Sequence, residues 1–195
     1  MHARSLENYI DFDKMFTTEM IDGQTYMFAR PSKEHADIQG NIFAMFFNHF
    51  RQNKKKCVIR SEAELYIDEK NYVVPDLMVF CHNHSKDIPL IVIEILSKST
   101  YIRDIGIKMK KYAGTGVKEY WIIDPKHRTV SVYVLNAKKE YDLYNVYVNY
   151  TDDDFNRIPE LKELELKEIE IIKEFSPVSF PELKLKPEEI FYFVE

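Results

Sequence analysis

The chain has 195 residues, of which 45% are apolar and 30% charged, with only 5 Gly and 8 Pro. That balance fits a globular protein and excludes disordered, collagen-like and low-complexity classes. No apolar stretch approaches the roughly 20 residues that span a bilayer, and the opening MHARSLENYIDFDK lacks the apolar core expected of a signal peptide.

The net charge of −5 is uneven. Lys98–Arg128 holds eight Lys/Arg against three Asp/Glu, whereas Thr151–Glu195 holds six against thirteen. A general nucleic-acid coat would be basic throughout. This pattern allows either one local basic surface on an acidic body or a solvated helix face. The two cysteines, Cys57 and Cys81, are too few for a disulfide framework. They read as buried thiols in a cytoplasmic protein.

In chain order, IDG at 21–23 predicts a turn into a strand at Thr25–Ala29. Ser32 is a candidate N-cap for a helix with Glu34 and His35 in its first turn. Ile38, Ile42, Met45, Phe46 and Phe50 continue it at helical spacing. Lys54–Lys56 forms a basic tip. Cys57–Ile67 and Tyr72–Phe80 read as strands, the second bent or edge-placed at Pro75. Leu90–Leu96 is almost continuously apolar, as a strand buried on both faces would be. A helix over about Thr100–Ala113 is stopped by Gly114 and Gly116. Lys118–Asp124 is a further buried strand, and Thr129–Leu135 with Lys139–Val148 reads as a hairpin. Leu161–Ile172 suits either a polar-faced helix or a long alternating strand, and its period of two favours the strand. PEEIFYFVE closes as a short helix docking its aromatics.

Glu94 interrupts the apolar run IVIEIL. Burying its charge is costly unless it is paired or bound to a metal. Asp76 stands 18 residues earlier, between YVVP and LMVF. Adjacent strands would bring the two carboxylates to one divalent ion, and hard oxygen donors suit magnesium or manganese. Asp104, Lys108 and Tyr112 are spaced four apart and share one helix face. An ordinary Asp–Lys helix pair would explain the first two, but this helix directly follows the strand of Glu94, so Lys108 could reach back to the acids. Cys81, His82 and His84 do not make a zinc site, because no second ligand pair follows.

The order PDLMVF, IEILSKST, D-x3-K-x3-Y and GVKEYWIIDP, preceded by PSKEH, resembles the Uma-two family of restriction endonucleases, within the PD-(D/E)XK nuclease superfamily. The resemblance spans about Met20 to Leu135, and PEEIF fits its usual end. It implies an α/β, restriction-endonuclease-like core with a mixed central sheet flanked by helices. The whole of 1–195 would be one domain: a β-plus-helix element at 1–56, a nuclease core at 57–150 and an acidic extension at 151–195.

By the same resemblance Asp76 and Glu94 would be metal ligands, with the carbonyl of Ile95 as a third. The superfamily lysine normally lies two residues after the second acid, where this chain has Leu96. Lys108 would replace it from the following helix, supported by Tyr112 and held by Asp104. Lys98, which replaces the proline of the family's LSPST, is a rival catalytic lysine or a phosphate contact. His35 would face the metal site. Lys98, Arg103 and Lys111 are candidate nucleic-acid contacts. The implied function is magnesium- or manganese-dependent hydrolysis of phosphodiester bonds, in DNA, by a homodimer. The rival is a non-catalytic nuclease-fold module that binds nucleic acid or protein.

Overall fold

The computed structural model describes residues 17–28, 31–82, 85, 87–97, 101–151, 154 and 173–194. The turn expected at IDG joins β1 (Thr17–Ile21) to β2 (Gln24–Phe28) through Asp22 and Gly23, at φ 53° and 79°. An Asp-Gly pair suits this two-residue hairpin turn, because glycine takes positive φ without a Cβ clash. Helix α1 (Lys33–Gln52) starts where the N-cap predicted, with Ser32 Oγ accepting the His35 N–H at 3.3 Å.

The next two expected strands are each cut in two. Cys57–Ile67 divides into β3 (Cys57–Ser61) and β4 (Leu65–Asp68), and Tyr72–Phe80 into β5 (Asn71–Val73) and β6 (Leu77–Cys81). Pro75 lies at the second cut, where its missing N–H cannot continue a ladder. The chain therefore changes sheets there, and Asp76 sits at the crossing.

β7 (Ile91–Ile95) precedes a π-helical turn, Arg103–Lys108, and helix α2 (Met109–Thr115). The helix ends at Gly116 (φ 94°), whose N–H donates to the Tyr112 and Ala113 carbonyls; Gly114 stays inside it. β8 (Glu119–Asp124), β9 (Thr129–Leu135) and β10 (Tyr141–Val148) follow. One sheet runs β2-β1-β5-β4 and the other β10-β9-β8-β7-β6-β3. In the larger sheet β7 and β8 are parallel and every other pair is antiparallel, which is the mixed central sheet expected.

β7 is buried along its whole length. Ile91, Ile93 and Ile95 pack with Ile38, Ile42 and Phe46 of α1 and with Trp121. On the opposite face Val92 packs with Tyr112, Tyr120 and Ile122. Side chains alternate along a strand, so Glu94 shares the α2 face.

The C-terminal segment docks on the α1 side. Phe175 bridges to Leu185, and α3 (Pro187–Ile190) follows. Glu119 ties the segment down: its carboxylate accepts the N–H groups of Val178 and Ser179 and the Trp121 indole. The closing aromatics dock only in part. Phe191 and Val194 are buried, but Tyr192 and Phe193 between them are 61% and 79% exposed. The strand expected at Leu161–Ile172 lies outside the described residues.

Cys57 and Cys81 face each other across β3 and β6 and form a disulfide, with Cα atoms 4.1 Å apart. This corrects the expectation of two thiols: the antiparallel register, invisible in the spacing, sets them opposite each other. They therefore carry no argument for a reducing compartment. No helix among the described residues is long and apolar enough to cross a membrane.

Candidate active site

The C-terminal ends of the parallel strands β7 and β8 open into a cleft of about 1250 Å³. Ligands of open α/β sheets sit characteristically at such strand ends. The cleft is bounded by β1, the first turn of α1, Asp76, Glu94–Ser97, the π-helical turn and Asp124–Arg128.

Asp76 is oriented from three sides. Its Oδ2 accepts the Ile95 N–H at 2.6 Å, and its Oδ1 lies 2.9 Å from His35 Nε2. A carboxylate only accepts, so the His35 ring donates through Nε2. Gln39 Nε2 donates to the Asp76 carbonyl at 2.9 Å. The Ser32 cap thus fixes the helix start that aims His35 at Asp76.

Glu94 lies deeper. Its Oε1 accepts from Lys108 Nζ at 3.1 Å and from the Tyr112 hydroxyl at 2.7 Å. Lys108 also touches Glu19 Oε1 at 2.8 Å and Asp104 Oδ1 at 3.3 Å. The Tyr120 hydroxyl donates to the Asp104 carbonyl at 2.9 Å. Asp104, Lys108 and Tyr112 are all buried and share one face, as their spacing predicts.

One ammonium therefore stands among three buried carboxylates. Burial works against the Lys108 charge, but Glu94, Asp104 and Glu19 outweigh it and hold the ammonium above its usual range. Burial likewise raises Glu94 well above the ordinary carboxyl range; Lys108 opposes this, and the charges of Asp104, Asp76 and Glu19 add to it. Tyr112 is raised by burial and by the Glu94 charge. The cluster has more negative charge than Lys108 offsets, so it favours a proton or a cation.

Glu19 was missed in the sequence. It is 2% exposed, and its Oε1 also accepts the Val74 N–H at 2.9 Å. Its Oε2 is buried with no hydrogen-bond partner. The available signal was the one that marked Glu94: Glu19 shares the inward face of β1 with Ile21, a charge where the alternation calls for an apolar residue.

Of the three nucleic-acid candidates, the two among the described residues, Arg103 and Lys111, do not line the cleft. Arg103 lays its guanidinium over the rings of Phe28 and Tyr26, 4.4 and 5.1 Å from their centroids. Lys111 pairs with Asp22 at the β1–β2 turn, away from the cleft lining. Lys98 lies outside the described residues.

The donor set fits a hard divalent ion. Asp76 and Glu94 line one cleft with Ile95, the last residue of β7, beside them, and the orphaned Glu19 Oε2 marks uncompensated buried charge. Among the described residues no three His, Cys, Asp or Glu side chains lie close enough to share one ion. Magnesium commonly needs only one or two carboxylates, with waters filling the remaining positions.

The chain is similar to known proteins in fold and in sequence. A "putative nuclease belonging to DUF820" from Anabaena variabilis ATCC 29413 shares the fold, with a TM-score of 0.65 and 20% identity over 91% of each chain. "Uncharacterized protein slr1290" of Synechocystis is 28% identical over 136 residues, 65% of this chain and 70% of that protein. Residues 6–168 match the family described as "Putative restriction endonuclease". The chain belongs to that family, Uma2.

Proposed function

We propose that this chain is a magnesium- or manganese-dependent endonuclease that hydrolyses phosphodiester bonds in DNA. The observation that carries the reading is the convergence of Asp76, Glu94 and Lys108, from three separate elements, at one cleft at the ends of β7 and β8. Asp76 and Glu94 would hold the ion, with the Ile95 carbonyl completing the protein's share. When bound, such an ion supplies Lewis acidity at the phosphate and a more acidic water.

The protein's own groups divide the remaining work. His35 and the Ile95 N–H keep Asp76 in one orientation, and such partners of a ligand tune its geometry and basicity. Tyr112 and Lys108 do the same for Glu94. Lys108, held charged, is a donor and a positive charge rather than a base. It offsets charge that develops on the phosphate. Asp104 and Glu19 position Lys108. The reading places the protein in the cytoplasm with its substrate, acting as a homodimer with one site for each strand.

The test is calorimetric titration of magnesium and manganese, with plasmid nicking in the same samples, on wild type, Asp76→Ala and Glu94→Ala. Wild type is expected to bind and nick. Each acid variant should lose ion binding and at least about a thousandfold in rate, roughly 4 kcal/mol. A folded wild type that binds no divalent ion and nicks nothing would overturn the proposal in favour of a non-catalytic binding module.

A further inference from the structure

The cleft is acidic on its floor, with Glu19, Asp76, Glu94 and Asp104 all lining it. A phosphodiester backbone approaching that floor is repelled until a cation sits there, so something else must hold it. Lys108 is buried among carboxylates, and His35 is bound to Asp76. Apart from these two, the Lys, Arg and His side chains among the described lining residues are Lys126, His127 and Arg128, consecutive in the turn between β8 and β9.

That turn is built to present them. Asp124 Oδ1 accepts the N–H groups of Lys126 and His127 at 2.9 and 3.2 Å, and Oδ2 accepts from His127 Nδ1 at 2.7 Å. The Asp124 charge is thus spent inside the turn. Burial opposes it, yet the His127 ring and the two backbone donors hold the Asp124 carboxyl below its usual range. The His127 ring is fixed through Nδ1, which leaves Nε2 on the edge away from Asp124. Its side chain remains 64% exposed. Arg128 sits at φ 51° and donates through Nη2 to the Val194 carbonyl at 2.8 Å, while the Arg128 carbonyl accepts the Asn149 N–H at 2.9 Å. Lys126 is exposed, and neither Lys126 nor Arg128 is ion-paired to a described residue.

We infer that the Asp124–Arg128 turn is the phosphate-gripping wall of the cleft, with Lys126 and the Asp124-oriented His127 contacting the nucleic-acid backbone. This moves backbone contact from the helix cations to the β8–β9 turn. It rests on the endonuclease reading and adds the surface by which the substrate is held.

The test measures binding of a short fluorescein-labelled DNA duplex by anisotropy across a salt series, with calcium replacing magnesium to hold back cleavage. Three full-length proteins are compared: wild type, Lys126→Gln/His127→Gln, and Lys110→Gln/Lys118→Gln. Lys110 and Lys118 are exposed cations of the same basic stretch that do not line the cleft. The turn variant is expected to bind about tenfold more weakly, and its slope of log affinity against log salt should fall by about one for the lost Lys126 charge. Lys110→Gln/Lys118→Gln should match wild type. Asp124→Asn, which keeps the side chain's size but weakens its hold on the ring, should fall between. Equal loss in the two double variants, or loss only in Lys110→Gln/Lys118→Gln, overturns the inference and leaves the endonuclease reading standing. A folded wild type that neither binds DNA nor nicks plasmid in magnesium overturns both.

Discussion

Two buried glutamates stand on neighbouring parallel strands, Glu94 on β7 and Glu119 on β8, 2% and 1% exposed. By burial they are alike, and their surroundings are opposite. Glu119 is met by neutral N–H groups from Val178, Ser179 and Trp121, which satisfy its charge and fasten the C-terminal segment. Glu94 is met by Lys108 and Tyr112 but also by the fields of Asp104, Asp76 and Glu19, and it opens onto the cleft. A buried acid is therefore not a site in itself. It becomes one when its neighbours leave charge uncompensated next to a space a ligand can enter.

The largest expected effect on this contrast comes from Lys108→Met. It leaves the carboxylates of Glu19, Glu94 and Asp104 without their shared ammonium. Breaking a buried ion cluster from one side costs about 3–5 kcal/mol. Urea unfolding should show that loss at neutral pH, partly recovered by added magnesium. A variant as stable as wild type would mean that the carboxylates are not jointly charged.

Glu119→Gln should cost less, about 2 kcal/mol in the same assay, since it turns a charged acceptor of several N–H groups into a neutral amide. Nicking by the folded variant should be retained. Loss of nicking without loss of stability would erase the distinction between the two glutamates.

The smallest effect is in pH. The folded protein holds a proton on Glu94 above the pH at which the unfolded chain releases it, because burial raises this carboxyl. The folded state then binds more protons than the unfolded state, so this group makes stability fall as pH rises from the ordinary carboxyl range through the raised value. One such group sets a slope of up to about 1.4 kcal/mol per pH unit. Glu94→Gln should flatten that part of the stability curve. An unchanged slope in Glu94→Gln would assign the proton elsewhere in the cluster.

Much of this candidate site is legible in the sequence. Glu94 stood out because a charge inside an apolar run conflicts with burial, and the spacing of Asp104, Lys108 and Tyr112 follows directly from helical periodicity. Ser32 and the Asp-Gly turn were legible for the same local reason: capping and positive φ are properties of a few adjacent residues. Glu19 carried the same signal as Glu94, but the short strand TTEMI gave it too little apolar context to register.

What the sequence alone determined is most of the helices and strands and the chemistry available to them: hard oxygen donors, a lysine in reach, and a strand buried on both faces. Only the tertiary structure decided which groups meet. Pairing β3 with β6 joined Cys57 to Cys81. The sheet change at Pro75 set Asp76 against Ile95, and β1 brought Glu19 to Lys108 from 89 residues away. It turned Arg103 and Lys111 toward partners of their own and left Lys126 and His127 on the cleft wall. Local preferences act over a few residues, whereas register and sheet order are set by burying two apolar faces at once, which no single segment encodes.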